Sequence, residues 1–151
     1  DMIAALEAGR VAKYVTDFPD ERIATVKNVI ALPHLGASTP ESEENCAVMA
    51  VRQLQDYLLN GNITNSVNLP NVSQDWSGIA RICLIHKNVP GMLTQIMGVL
   101  SDDHINVENL TNKSKKDYAY TMVDVNTRLT EQAVEELRAI PNMIRVRILN
   151  H

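Results

Sequence analysis

From Ala80 onward the apolar positions switch repeatedly between a two-residue and a helical repeat. Ala80, Ile82 and Leu84 alternate as in a strand, and Leu93, Ile96, Met97 and Leu100 follow at helical spacing. Residues 105–110 and the set Ala119, Thr121, Val123 and Val125 return to strand character, joined by a polar turn over residues 112–117. Thr130 caps a second helix with Val134 and Leu137 inward, Pro141 lies past its end, and Ile144, Val146 and Ile148 alternate in a last strand. The order βαββαβ predicts a ferredoxin-like plan, in which a four-stranded antiparallel sheet carries both helices on one face. The other face and the edges then need cover, and pairing with a second copy is one common way to protect an edge.

Upstream the pattern is α/β. Ile3 and Leu6 mark a helix already under way that stops at Gly9, as if the chain continued a longer one. Residues 11–16 are β-branched and aromatic enough for a short strand, and residues 28–32 form another that ends at Pro33. Ser38-Thr39-Pro40-Glu41 combines a hydroxyl cap, a first-turn proline and an early acid at one helix start. The helix should be long, with Cys46, Ala47, Ala50, Leu54, Tyr57 and Leu58 near one stripe and Asn60-Gly61 as its stop. Residues 62–78 are polar, lack a period and contain Pro70 and Gly78, which marks them as a linker. Three parts result: residues 1–61, 62–78 and 79–151, an α/β portion followed by an α+β one.

Composition narrows the functions. With 151 residues and 45% hydrophobic content the chain can build a real core. Its formal charge of -4 is interspersed, the basic cluster Lys113, Lys115 and Lys116 sits beside Asp117, and no field for nucleic acid arises. No apolar run is long enough to cross a bilayer, and the first residues lack the order of a signal peptide. Cys46 and Cys83 have no paired or CxxC spacing; both are expected to be buried structural thiols, with no metal role, in a reducing cytoplasm.

Chemistry concentrates at two places. In the first, Leu32-Pro33-His34-Leu35-Gly36-Ala37-Ser38-Thr39 sets a histidine at a strand end just before a helix start, where α/β sheets gather reactive groups. A bare histidine there is more often structural than catalytic. However, Pro-His-Leu-Gly-Ala-Ser-Thr, preceded by Val15-Thr16-Asp17-Phe18 and followed by Glu44-Asn45-Cys46-Ala47, resembles the D-2-hydroxyacid dehydrogenases. Asn62-Ile63-Thr64-Asn65-Ser66-Val67-Asn68-Leu69-Pro70 is similar to the return segment of their phosphoglycerate members.

The resemblance implies a Rossmann-like nucleotide-binding domain over residues 1–61, of which only the tail is present, with His34 as general acid/base. It also implies an acid partner, Glu21 or its neighbour Asp20, in a run Asp17-Phe18-Pro19-Asp20-Glu21 that lacks the family's glutamate-proline pair. Asp17, His34, Leu35, Gly36 and Ala37 would meet the nicotinamide end of NAD, and 3-phosphoglycerate would be the substrate of the parent enzyme. Glycines at 9, 36, 61, 78, 91 and 98 nowhere form GxGxxG, and the family's substrate-binding arginine lies upstream, so this chain alone is expected to bind no NAD and to be inactive.

The second place is Ile85-His86-Lys87-Asn88-Val89-Pro90-Gly91-Met92-Leu93, a strand end running through a turn into a helix. His86 and Asn88 bring polar side chains to that turn, and Asn106 opens the next strand; asparagine offers a donor and an acceptor, as a zwitterion with a hydroxyl requires. Residues 81–149 resemble an ACT domain, and His86, Asn88 and Asn106 match the positions by which serine-inhibited phosphoglycerate dehydrogenases hold L-serine between two paired copies. The resemblance therefore implies an L-serine effector and a homo-oligomer formed through this domain. The alternative is a non-catalytic amino-acid-binding and dimerisation module built by residues 79–151 alone.

Overall fold

The computed structural model describes residues 1–150, which fall into two compact units, Asp1–Met49 and the part from Ala50 onward. In the first, α1 (Met2–Glu7) precedes β1 (Tyr14–Thr16), α2 (Glu21–Ala24) and β2 (Val29–Ala31), and α3 (Pro40–Asn60) begins. Strands β1 and β2 pair in parallel from Tyr14↔Val29 to Thr16↔Ala31, a shorter ladder than the strand-forming runs around it. Helix α2 was not expected; Asp20 nucleates it by accepting from the Ile23 N–H at 2.7 Å. Helix α3 starts as its sequence predicts, with Thr39 Oγ1 accepting from the Ser42 N–H at 3.2 Å ahead of Pro40. Its apolar stripe is not buried, however: no residue of α3 is, and Leu54 and Leu58 remain 58% and 50% exposed. Cys46, expected to be buried, is exposed for the same reason.

The second unit contains β3 (Ala80–Lys87), α4 (Met92–Asp102), β4 (Val107–Lys115), β5 (Tyr118–Val125), α5 (Glu131–Ala139) and β6 (Met143–Asn150). The four strands form an antiparallel sheet in the order β4-β5-β3-β6, the ferredoxin-like arrangement. Ala80, Ile82 and Leu84 of β3 and Val123 and Val125 of β5 face the helices, where Met92, Ile96, Leu100, Ala133 and Leu137 complete the core. Met92, not the 36% exposed Leu93, turns inward at the start of α4, because Gly91 enters the helix at φ +83. The β4–β5 ladder runs on to Lys115↔Tyr118, so the polar turn shrinks to Lys116 and Asp117, with Lys116 at φ +55. The pairing of β3 with β6 shifts register between Ile85 and His86.

The sheet's opposite face is covered by the chain itself. Ile63 and Val72, which bond to each other as an isolated antiparallel bridge, bury against Cys83, Tyr120 and Met122. Residues 62–74 thus form a cover on the sheet, made by a few apolar side chains hidden in a polar segment. Gly61 sits at φ +75, where an added Cβ would lie 2.5 Å from Cys83 Sγ, and Tyr120 donates its hydroxyl to the Gly61 carbonyl at 2.6 Å. Burial, then the neighbouring Cys83, pushes the Tyr120 hydroxyl well above its ordinary pKa, so it stays a donor. Tyr120→Phe is expected to cost about 1–2 kcal/mol by orphaning a buried carbonyl. Urea unfolding checks this as a lower midpoint at unchanged slope.

Candidate functional site

The helix-covered face of the sheet changes character at its last rung. After Ile82 and Leu84 on β3 comes His86; beside Val123 on β5 comes Thr121; beyond Leu110 on β4 comes Asn112. His86 is 2% exposed, with Nδ1 2.8 Å from the Lys87 carbonyl and Nε2 2.8 Å from Thr121 Oγ1. Thr121, fully buried, bonds in turn to Asn112 Oδ1 at 2.8 Å, and Asn112 is exposed on the edge strand. A polar chain therefore leads from a buried imidazole to solvent. Thr121 and Asn112 escaped the sequence reading, although a threonine between Ala119 and Val123 on an inward face is a readable signal.

Asn88 lies at the same end of the sheet. Its N–H donates to the Asp117 carbonyl at 2.8 Å and its Nδ2 to the Lys116 carbonyl at 3.2 Å, which leaves the amide oxygen exposed. Asn106 lies at the other end, since β4 begins opposite Val125 while Lys115 pairs with Tyr118. Its Nδ2 donates to Glu108 Oε1 at 3.1 Å and its carbonyl accepts from the Asn126 N–H. Seven strand steps separate the two ends, about 24 Å at the usual rise. One chain does not bring Asn106 to His86 and Asn88.

A second feature joins the sheet to its covering segment. Arg81 and Asp124, cross-strand partners on β3 and β5, are both fully buried and form a bidentate pair at 2.6 and 2.8 Å. The remaining guanidinium protons reach the carbonyls of Asn60, Gln74 and Asp75 at 2.8, 3.0 and 2.9 Å, and the ring of Trp76 lies 4.6 Å away. Ser77 donates its N–H and hydroxyl to Asp124 Oδ2. Burial alone would raise the Asp124 carboxyl, but hydrogen bonds from Arg81 and Ser77 and the guanidinium charge hold it below its ordinary pKa. Arg147 plays a lesser part on β6, donating to the Tyr57 and Leu58 carbonyls at the end of α3.

In the first unit the parallel pairing of β1 and β2 sets Asp17 and His34 side by side beyond the strands' C-terminal ends. His34 Nδ1 is 2.9 Å from Asp17 Oδ2, both are more than half exposed, and the Phe18 ring packs edge-on at 4.5 Å. The carboxylate that reaches the imidazole is thus Asp17. Asp20 is engaged in capping α2, and Glu21, in the first turn of α2, is exposed. Leu35, Gly36 and Ala37 form an exposed turn tied by Ser42 Oγ to the Gly36 carbonyl at 2.7 Å, with open space where a Gly36 Cβ would stand. The turn is open to solvent, and this chain carries no glycine spacing that would cradle the phosphates of a dinucleotide.

The AHAS small subunit-like ACT domain family matches residues 82–145. The ACT domain from GTP pyrophosphokinase of Chlorobium tepidum superposes on 48% of this chain and 97% of its own length, with 21% identity and a TM-score of 0.42. The second unit is an ACT domain. Outside it the likeness continues: D-3-phosphoglycerate dehydrogenase of Escherichia coli K12 is 32% identical over 124 residues, 81% of this chain and 30% of the relative. D-3-phosphoglycerate dehydrogenase 2 of Saccharomyces cerevisiae is 32% identical over 135 residues, 84% of this chain and 28% of the relative. The chain is a homologue of the C-terminal part of the D-3-phosphoglycerate dehydrogenases and spans about 30% of the length of these relatives.

Proposed function

We propose that the chain is the C-terminal part of an NAD-dependent D-3-phosphoglycerate dehydrogenase whose ACT domain binds L-serine between two copies. The carrying observation is the separation of Asn106 from His86 and Asn88 along one sheet, which a two-fold pairing of β4 edges would cancel. Antiparallel apposition of two β4 strands lays the beginning of one against the end of the other. Asn106 of one copy then approaches Asn88 of the second, above the polar rung that contains His86. The two asparagine amides supply donors and acceptors for a zwitterion, and a ligand shared by two copies favours one arrangement of them.

The test is calorimetric titration with L-serine alongside sedimentation. Asn106→Ala and Asn88→Ala are each expected to weaken binding by about 10- to 100-fold, the loss of one charge-assisted hydrogen bond. Mixing the two variants in equal amounts should restore about a quarter of the sites, because half of the pairs are mixed and one site of each mixed pair keeps both asparagines. No recovery on mixing would refute a shared site.

In the whole enzyme His34 would take the proton of the substrate 2-hydroxyl, with Asp17 or Glu21 orienting the ring and stabilising its charged form. Bound NAD supplies the hydride acceptor, met by Leu35, Gly36, Ala37 and the Asp17 region. The chain by itself lacks the phosphate cradle and is expected to be inactive.

A further inference from the structure

We propose that Thr121 and Asn112 are positioning residues for His86, whose hydrogen bonds tie the proton count of the buried ring to the orientation of an amide at the sheet edge. The idea rests on the reading of His86 as part of the effector site. Nδ1 faces the Lys87 carbonyl at 2.8 Å, and a carbonyl only accepts, so Nδ1 carries a proton. Nε2 faces Thr121 Oγ1 at 2.8 Å, and the same oxygen lies 2.8 Å from Asn112 Oδ1. Thr121 has a single hydroxyl proton, which cannot serve both neighbours.

Two arrangements satisfy every atom. In one, Thr121 donates to Asn112 Oδ1 and Nε2 donates its own proton to Thr121; the ring is an imidazolium and the Asn112 NH2 points outward. In the other, Thr121 donates to a bare Nε2 and the Asn112 amide turns over, offering its NH2 to Thr121 and its oxygen to the outside. A buried ring nitrogen without a partner keeps the full cost of its lost hydration, so mixed arrangements are disfavoured. The edge therefore presents a donor in the charged state and an acceptor in the neutral one. Ionisable groups near the ring are Lys87 on β3, Lys113 on β4, Lys116 and Asp117 in the turn, Arg145 on β6 and Arg138 near the end of α5. The first turn of α4 contributes no acid, and Tyr118 is engaged by Lys87 at 5.4 Å.

Nitrogen-15 spectra of the His86 ring report which nitrogens are protonated, because protonated and bare ring nitrogens differ by several tens of parts per million. Nuclear Overhauser contacts from the Asn112 amide protons to the Thr121 methyl report which way the amide points. In the full chain at any pH, a protonated Nε2 should coincide with an outward NH2 and a bare Nε2 with an inward one. Thr121→Val should break that correlation, Thr121→Ser should keep it, and Asn112→Leu, on the exposed edge, should leave the ring state free of the edge. A protonated Nε2 with an inward NH2, or a correlation that survives Thr121→Val, overturns the proposal. L-serine titration of the same samples separates the two readings. Correlated states without serine binding sink the effector assignment and keep the relay, while serine binding with uncorrelated states does the reverse.

Discussion

Replacing Arg81 by methionine is expected to lower the stability of the ACT unit by about 3–5 kcal/mol. The substitution leaves a fully buried Asp124 carboxylate without its counter-charge and removes the donors held by the carbonyls of Asn60, Gln74 and Asp75. Urea unfolding of the chain measures it. A double replacement, Arg81→Met with Asp124→Leu, tells an isolated ion pair from a hub. Paired charges alone are replaced by apolar groups at little cost, whereas here three carbonyls remain orphaned and most of the loss should persist.

Acid carries the same information. The folded pKa of Asp124 is depressed, so its contribution is complete above the unfolded carboxyl value of about 4 and is lost as pH falls through the lower folded value. Asp124→Asn should remove that part of the acid sensitivity. An unchanged acid profile in the variant would show that Asp124 is not the group responsible.

Gly78→Ala is expected to be the second large loss, about 3 kcal/mol, without touching a charge. At φ +103 an added Cβ would stand 2.5 Å from the Val125 carbonyl oxygen, a backbone atom held in the β5 ladder. Since Ile79 donates its N–H to that carbonyl at 2.8 Å, relief of the clash would also loosen the entry to β3. A thermal midpoint within a degree or two of wild type would show that the turn relaxes without strain.

The βαββαβ order is legible in the sequence because each element of the ACT unit has one face on a dry core, which imposes a clean period on its apolar residues. Cover of the far face is not legible in the same way. Ile63 and Val72 lie nine residues apart in polar surroundings, and their partner is a sheet formed later in the chain. The α3 stripe misleads for the opposite reason: amphipathic spacing records a face suited to burial but not whether this chain supplies the partner. Arg81 and Asp124 are readable only as a pair, since each looks like a surface residue until the register sets them opposite one another. At the histidine, the family resemblance points to Glu21 or Asp20, yet the parallel register of β1 and β2 brings Asp17 to His34.

The register shift between Ile85 and His86 divides β3 mechanically. Up to Ile85 the strand is laddered regularly on both sides; past the shift, which skips Ile144, His86 still pairs with Met143 and Lys87 still donates its N–H to the Asn142 carbonyl at 3.0 Å, while β5 keeps its register throughout. The His86 end thus rests on an irregular ladder, while the Arg81 end adds two buried side-chain bonds to a regular one, so the tip is expected to open before the root. Amide hydrogen exchange should show this as a steep gradient along one strand, fast at its tip and slow at its root.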